Sequence, residues 1–174
     1  MAKDRYAKSK RDNLSWLFRF IALVIVLLCV FKFLIGISFV DGVSMQNTLV
    51  DGDFLLYTRI GSSYERGDIV AATLPDGKHY VKRVIAVEGD VITLVDGCFY
   101  VNGEKEGTPY AIGETRAEDV VLSYPYTVGE GRVFIVGDNR LSSTDSRRYG
   151  AILTEDIQGK VIFRAGKSGF GGID

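Results

Sequence analysis

An apolar run near the start limits this chain more than any other feature. Residues 14–37, LSWLFRFIALVIVLLCVFKFLIGI, carry only two charges, Arg19 and Lys32. As a helix the run is about 36 Å long, against a hydrocarbon core of about 30 Å. Its uninterrupted centre, FIALVIVLLCVF (20–31), falls short of the ~20 residues of a clean span. Arg19 and Lys32 must then reach the two interfaces along their long stems, with Trp16 and Phe18 at the entry side. Lys3, Arg5, Lys8, Lys10 and Arg11 crowd the preceding residues against only Asp4 and Asp12. That bias predicts a cytoplasmic tail over 1–13, an anchor over 14–37 and an extracytoplasmic domain over 38–174. A basic start, a short apolar core and small residues at 36–38 also fit a cleaved leader. Phe33, Leu34, Ile35 and Ile37, which prolong the run beyond Lys32, favour the retained anchor.

The chain of 174 residues suits one domain with an appendage, and its formal net charge of −1 gives no basic balance for nucleic acid. Cys29 lies in the apolar run and Cys98 far downstream, so neither a disulfide framework nor a CxxC metal pattern is implied. With a single histidine there is no His-rich zinc site. No cofactor is expected.

Beyond Phe39 the pattern is strands and turns. DFLLYTRI (53–60) and DIVAATL (68–74) are β-type runs bounded by glycines, and PDGK (75–78) is a hairpin turn leading into HYVKRVIAVEGD. VITLV, the turn at Asp96 and Gly97, CFYVNGE, RVFIVGDNR and GKVIFRA supply further strands. No long amphipathic helix follows the anchor. Twenty glycines and closely spaced turns predict a mainly β domain, an antiparallel barrel or folded sheet. Residues 103–125 break the rhythm and are expected to form an insertion loop.

Three clusters carry candidate chemistry. Ser44, in FVDGVSMQNTLVDGD (39–53), offers a hydroxyl that needs a base within hydrogen-bond reach. The glycine that would close a nucleophile elbow is replaced by Gln46. The candidate bases are His79 and Lys82, because Arg83 stays protonated. Strand alternation puts Lys82 in a row with Tyr80, Val84 and Ala86, where desolvation favours the neutral amine, and Arg83 on the other face. His79 points away from Lys82, so at most one of them faces Ser44. Lys82 also fits a strand-edge charge. The third cluster, VGDNRLSSTDSRRYG (136–150), reads either as a solvated loop or as a rigid hydrogen-bonded support.

With these clusters in view, nearly the whole chain resembles the type I signal peptidases, closest to compact Gram-positive members. The family pattern S-M-x-P-T-L is matched by Ser44, Met45, Thr48 and Leu49; Asn47 stands in place of the proline. YVKRVIAVEGD (80–90) matches its base motif, and G-D-N-R-x-x-S-x-D-S-R is matched by Gly137, Asp138, Asn139, Arg140, Ser143, Asp145, Ser146 and Arg147. The resemblance implies a membrane-bound serine endopeptidase that cuts signal peptides from exported preproteins after small residues, Ala-x-Ala in type. It implies Ser44 as nucleophile, Lys82 as general base, and Ser143 orienting the lysine amine. The Ser44 N–H would donate to the oxyanion, Asp138, Asp145 and Arg147 would support the site, and Met45 would wall the substrate pocket. Gly42 stands where some members carry a second oxyanion-donating hydroxyl. Lysine as base separates the chain from the reticulum-type enzymes. Implied partners are secretory preproteins and membrane lipid, close to the Sec translocon. Ser44 lies only about seven residues past Ile37, which predicts a site at the outer membrane interface.

Three other readings fit parts of the sequence. A membrane-anchored peptide-binding or pilus-assembly factor would use the same fold without catalysis. A triad of Ser44, His79 and Asp138 would use histidine as base. A self-cleaving repressor shares Ser-Lys chemistry, but the chain has an anchor and no DNA-binding helical segment.

Overall fold

A helix as long as α1 (Ala2–Phe33) follows from a run of side chains without a single glycine or proline between Ala2 and Phe33. The structure, a computed structural model, describes residues 2–61, 63–107, 109–116 and 122–173, with side chains from Ser15 onward. The basic side chains of the first thirteen residues therefore lie outside the described part. Ser15–Phe33 is long and apolar enough to cross a membrane. Trp16 stacks on Phe20, with ring centroids 5.8 Å apart. The helix ends four residues earlier than the expected anchor: Leu34 N–H still bonds to Val30 C=O at 2.8 Å, and β1 (Ile35–Phe39) begins at once. Two β-branched isoleucines flank Gly36, and a Cβ at Gly36 would collide with the Tyr57 ring. Close packing against the ring thus makes this stretch a strand.

The chain divides into two compact units, Met1–Ile35 and Gly36–Asp174. In the second, β2 (Phe54–Thr58), β3 (Ile69–Thr73) and β4 (His79–Val87) come from the runs read as strands. The Pro75 turn closes with a Leu74 N–H bond to Lys78 C=O at 3.0 Å. Then come β5 (Val91–Val95), β6 (Cys98–Val101), β7 (Glu104–Lys105), β8 (Tyr126–Thr127) and β9 (Arg132–Val136). Asp96 and Gly97 both take positive φ, 47° and 70°, the backbone that a two-residue hairpin between right-twisted strands requires. A one-turn helix α2 (Ser146–Tyr149), β10 (Ile152–Leu153), a 3₁₀ turn (Thr154–Asp156), β11 (Ile157–Gly166) and β12 (Gly169–Gly171) complete the order.

The strands form an eight-stranded sheet in the order β1-β2-β11-β3-β4-β9-β10, with β12 also paired to β11, and a smaller sheet β7-β6-β5-β8. Its described ladders are antiparallel, in agreement with the mainly β expectation. Register shifts near Gly159, between Val161 and Phe163 and between Val84 and Ala86 mark irregularities that bend strands. β11 accordingly pairs with β3 through Lys160 and with β2 from Lys160 onward, so the sheet curls around it. Of the expected insertion 103–125, Glu104 and Lys105 pair with β6, and Ile112 makes a parallel bridge to Asn139; residues 108 and 117–121 lie outside the described part.

Three apolar clusters hold the unit together. One joins the small sheet to β4 and β9 through Ile92, Phe99, Ile85 and Phe134. A second packs Met45 and Leu49 against Leu55, Ile69 and Val161, and a third lines the other face with Val70, Val84 and Ile135. Because both faces of β4 are covered, residues 82–86 are all buried.

Candidate active site

Ser44 sits in a tight turn anchored by apolar side chains. Gln46 N–H bonds to Val43 C=O at 3.1 Å, and Thr48 and Leu49 N–H both bond to Met45 C=O, at 2.9 and 2.8 Å. Met45 and Leu49 are buried beneath it. Gly42 adopts φ 94°, open to glycine and strained for serine, and its N–H is already donated to Asp51 Oδ1 at 2.9 Å. The Ser44 carbonyl accepts from Asn139 N–H at 3.0 Å, and Asn139 Nδ2 donates to Val43 C=O at 3.2 Å. The loop after β9 thus grips the serine turn through its backbone.

Lys82 lies in mid-β4 opposite Val70 and has no exposed surface. Its Nζ donates to Ser44 Oγ at 2.7 Å and to Val81 C=O at 3.2 Å, and stands 4.9 Å from the centre of the Tyr80 ring. Burial pushes its pKa down from the usual lysine range to about 8; Asp145 and Asp138 oppose the shift and Arg147 adds to it. A strand-edge role does not describe such a side chain. The apolar row of Tyr80 and Val84 is the environment that alternation predicted.

The 136–150 cluster is a buried network, not a solvated loop. Asp138, Asn139, Arg140, Asp145, Ser146 and Arg147 are all buried. Asp145 caps α2 by accepting from Arg147 N–H at 3.1 Å; it also accepts from Gly137 N–H at 3.0 Å and from the Arg147 guanidinium at 2.9 and 3.0 Å. Arg147 reaches on to the carbonyls of Arg140 and Ser143, at 2.8 and 3.2 Å. Asp138 is held by Arg83 through two bonds of 2.9 and 2.8 Å and accepts from Thr48 Oγ1 at 2.5 Å. Gly137 has no room for a side chain: a Cβ there would lie 2.5 Å from Ser44 C=O and strike Ser143.

One expected contact is absent. Ser143 Oγ is buried without a hydrogen-bond partner, and the bond from it to the Lys82 amine is not made. The amine instead satisfies itself on Ser44 and its own strand. The residues that the sequence reading left without a part are Arg83, Thr48 and Gly137. Arg83 was legible as the neighbour of Lys82 that must face the other way; its acidic partner, Asp138, was not.

The structure does not bring Ser44, His79 and Asp138 together as a triad. His79 Nδ1 faces Thr73 and Gln158, and Asp138 is occupied by Arg83 and Thr48. A cleft of about 320 Å³ opens at Ser44, lined by Val40, Met45, Ala71, Val81, His79 and Gln158 among others. Among the described residues no group of three or more His, Cys, Asp or Glu could hold a metal ion.

A curled antiparallel sheet presenting a serine, a buried lysine and an open cleft belongs to a class of β-rich peptidases. Residues 13–165 match the family described as signal peptidase, peptidase S26. Signal peptidase IB of Staphylococcus aureus is 32% identical over 172 residues, 89% of this chain and 90% of that one. Signal peptidase I of Bacillus licheniformis is 35% identical over 161 residues, 84% of each. A crystal structure of a signal peptidase I from Enterococcus faecalis V583 aligns with a TM-score of 0.45 at 26% identity, over 56% of this chain and 96% of that one. The chain belongs to the S26 signal peptidases, and is an enzyme of the signal peptidase I type.

Proposed function

We propose that this enzyme is membrane-anchored and removes N-terminal signal peptides from exported preproteins, cutting after small residues in Ala-x-Ala sites through a Ser44–Lys82 dyad. The observation that carries the mechanism is the 2.7 Å bond from a fully buried lysine amine to the Ser44 hydroxyl. In this reading neutral Lys82 takes the Ser44 proton as Oγ attacks the scissile carbonyl. The Ser44 N–H donates to the oxyanion. Lys82 then protonates the leaving amine, an acyl-enzyme forms, and the amine activates the water that releases it. Asp138 with Arg83, and Asp145 with Arg147, hold the turn and the β9 loop without touching the substrate. Ser143, whose Oγ has no partner in the resting site, would take up the lysine amine when Ser44 leaves it. Met45, Val40, Ala71 and Val81 give the cleft an apolar wall that suits alanine at −1 and −3. An extended peptide pairing its backbone along the cleft supplies affinity.

Ser15–Phe33 is the anchor in this proposal, with the basic tail over 1–13 in the cytoplasm and residues 38–174 on the outer face, beside the translocon that delivers the substrate.

Membranes carrying the wild-type enzyme, Ser44→Ala or Lys82→Ala are incubated with a preprotein bearing an Ala-x-Ala site. Product is expected from wild type alone, with each variant reduced by at least about 10³-fold. Cleavage that survives in Lys82→Ala sinks the dyad, and a wild-type enzyme that binds the preprotein without cutting it returns the reading to a peptide-binding factor.

A further inference from the structure

The cleft at Ser44 has an inner and an outer end. One wall runs from Ser38 to Asp41 toward Ser44, and the other from His79 through Val81 toward Lys82. The inner part is apolar, with Val40, Met45, Ala71 and Val81. The outer part is polar, with Lys78, His79 and Gln158.

The chain's single histidine is held there in a defined orientation. Gln158 Nε2 lies 2.5 Å from His79 Nδ1 and donates to Thr73 Oγ1 at 3.2 Å. Gln158 Oε1 accepts from the Tyr57 hydroxyl at 3.4 Å, and that hydroxyl accepts from Arg59 Nη2 at 3.2 Å. These bonds tie the ring down through its Nδ1 edge, the donor and acceptor there being set by the tautomer. Thr73 Oγ1, 3.1 Å from Nδ1, braces the same edge of the ring from the adjacent strand, where Thr73 pairs with His79. Among the described residues none accepts a hydrogen bond from Nε2, and His79 is exposed. A positioned imidazole edge with hydrogen-bonding capacity to spare therefore stands at the mouth of the cleft.

We propose that His79 is a specificity residue, whose Nε2 edge takes a hydrogen-bonding side chain (Asn, Asp, Gln, Glu, Ser or Thr) on the fifth residue before the cut. The proposal rests on the signal-peptidase reading above. In an extended substrate alternate side chains share a face. With −1 and −3 in the apolar part, −5 is the next residue on that face, about 13 Å from −1 at ~3.3 Å per residue. His79 shares its face of β4 with Val81 and lies three residues out from Lys82, roughly 10 Å along the strand by the same spacing, within one residue of the span from −1 to −5.

The test uses the full-length enzyme in detergent micelles and two preproteins that differ only at −5, Asn against the near-isosteric Leu. Wild type is expected to favour the Asn substrate by about fivefold in kcat/KM, the worth of one neutral hydrogen bond, expressed in KM. In His79→Phe the ratio falls to about one, and in His79→Asn, which restores hydrogen-bonding capacity, it recovers. A ratio near one in wild type, or an unchanged ratio in His79→Phe, overturns the proposal. Failure of wild type to cut either preprotein overturns the signal-peptidase reading beneath it.

Discussion

A lysine amine in water keeps its proton to about pH 10.4 and is no base at neutrality. Lys82 is taken out of water by Tyr80, Val84 and Val70, and its pKa falls to about 8. Arg83 and Arg147 are buried too, but each meets a carboxylate. The sign of the pH effect follows. Below about pH 8 the amine is protonated and cannot accept the Ser44 proton; above it the neutral form dominates. The acylation rate of an Ala-x-Ala substrate should therefore rise about tenfold per pH unit up to an apparent pKa near 8, then level. A flat profile between pH 6 and 8 would rule out Lys82 as the base. The place of Lys82 in an apolar row was legible from alternation alone. Its bond to Ser44 was not, because the residues are 38 positions apart and only the curl of the sheet makes them meet.

At the scale of elements, the stretch after β7 acts as a strap on the site. Ile112 N–H bonds to Asp138 C=O and Arg140 N–H to Ile112 C=O, at 2.8 and 2.9 Å. The Arg140 guanidinium donates to Gly137 C=O, Thr115 Oγ1 and Glu106 Oε1, and lies 5.6 Å from the centre of the Phe99 ring. These bonds fix the loop whose Asn139 N–H holds the Ser44 carbonyl. Arg140→Met should therefore lower kcat by about 10- to 100-fold with little change in KM, because the dyad geometry loosens while the cleft remains. Arg140→Lys should recover part of it. A change confined to KM would mean that the strap shapes the cleft instead. The longer strands were legible from hydrophobic runs between glycines. Among the missed pieces, β7, β8, β10, β12 and α2 are two to four residues long and too short for periodicity to mark. For α2 a signal did exist, since Asp145 before Ser146 and Gly150 after Tyr149 are cap residues at both ends.

The whole molecule joins an apolar helix to a β unit that has its own three apolar clusters. If tethering to the bilayer concentrates enzyme and substrate on one surface, deleting residues 2–33 should cost cleavage of a membrane-inserted preprotein at least about tenfold. Cleavage of a soluble peptide spanning the same site should change far less. Equal losses on both substrates would show that the helix serves the fold rather than encounter. The sequence by itself determined the apolar helix, the β class and the two residues proposed to react, because hydrophobic runs, turn residues and ordered motifs are local properties of the chain. Tertiary structure alone decided where the helix gives way to β1, that Arg83 and Thr48 hold Asp138, that Ser143 Oγ makes no bond to the Lys82 amine, and that His79 lines the cleft. Those facts depend on which distant side chains reach one another across a curled sheet, and on which buried polar groups are satisfied first.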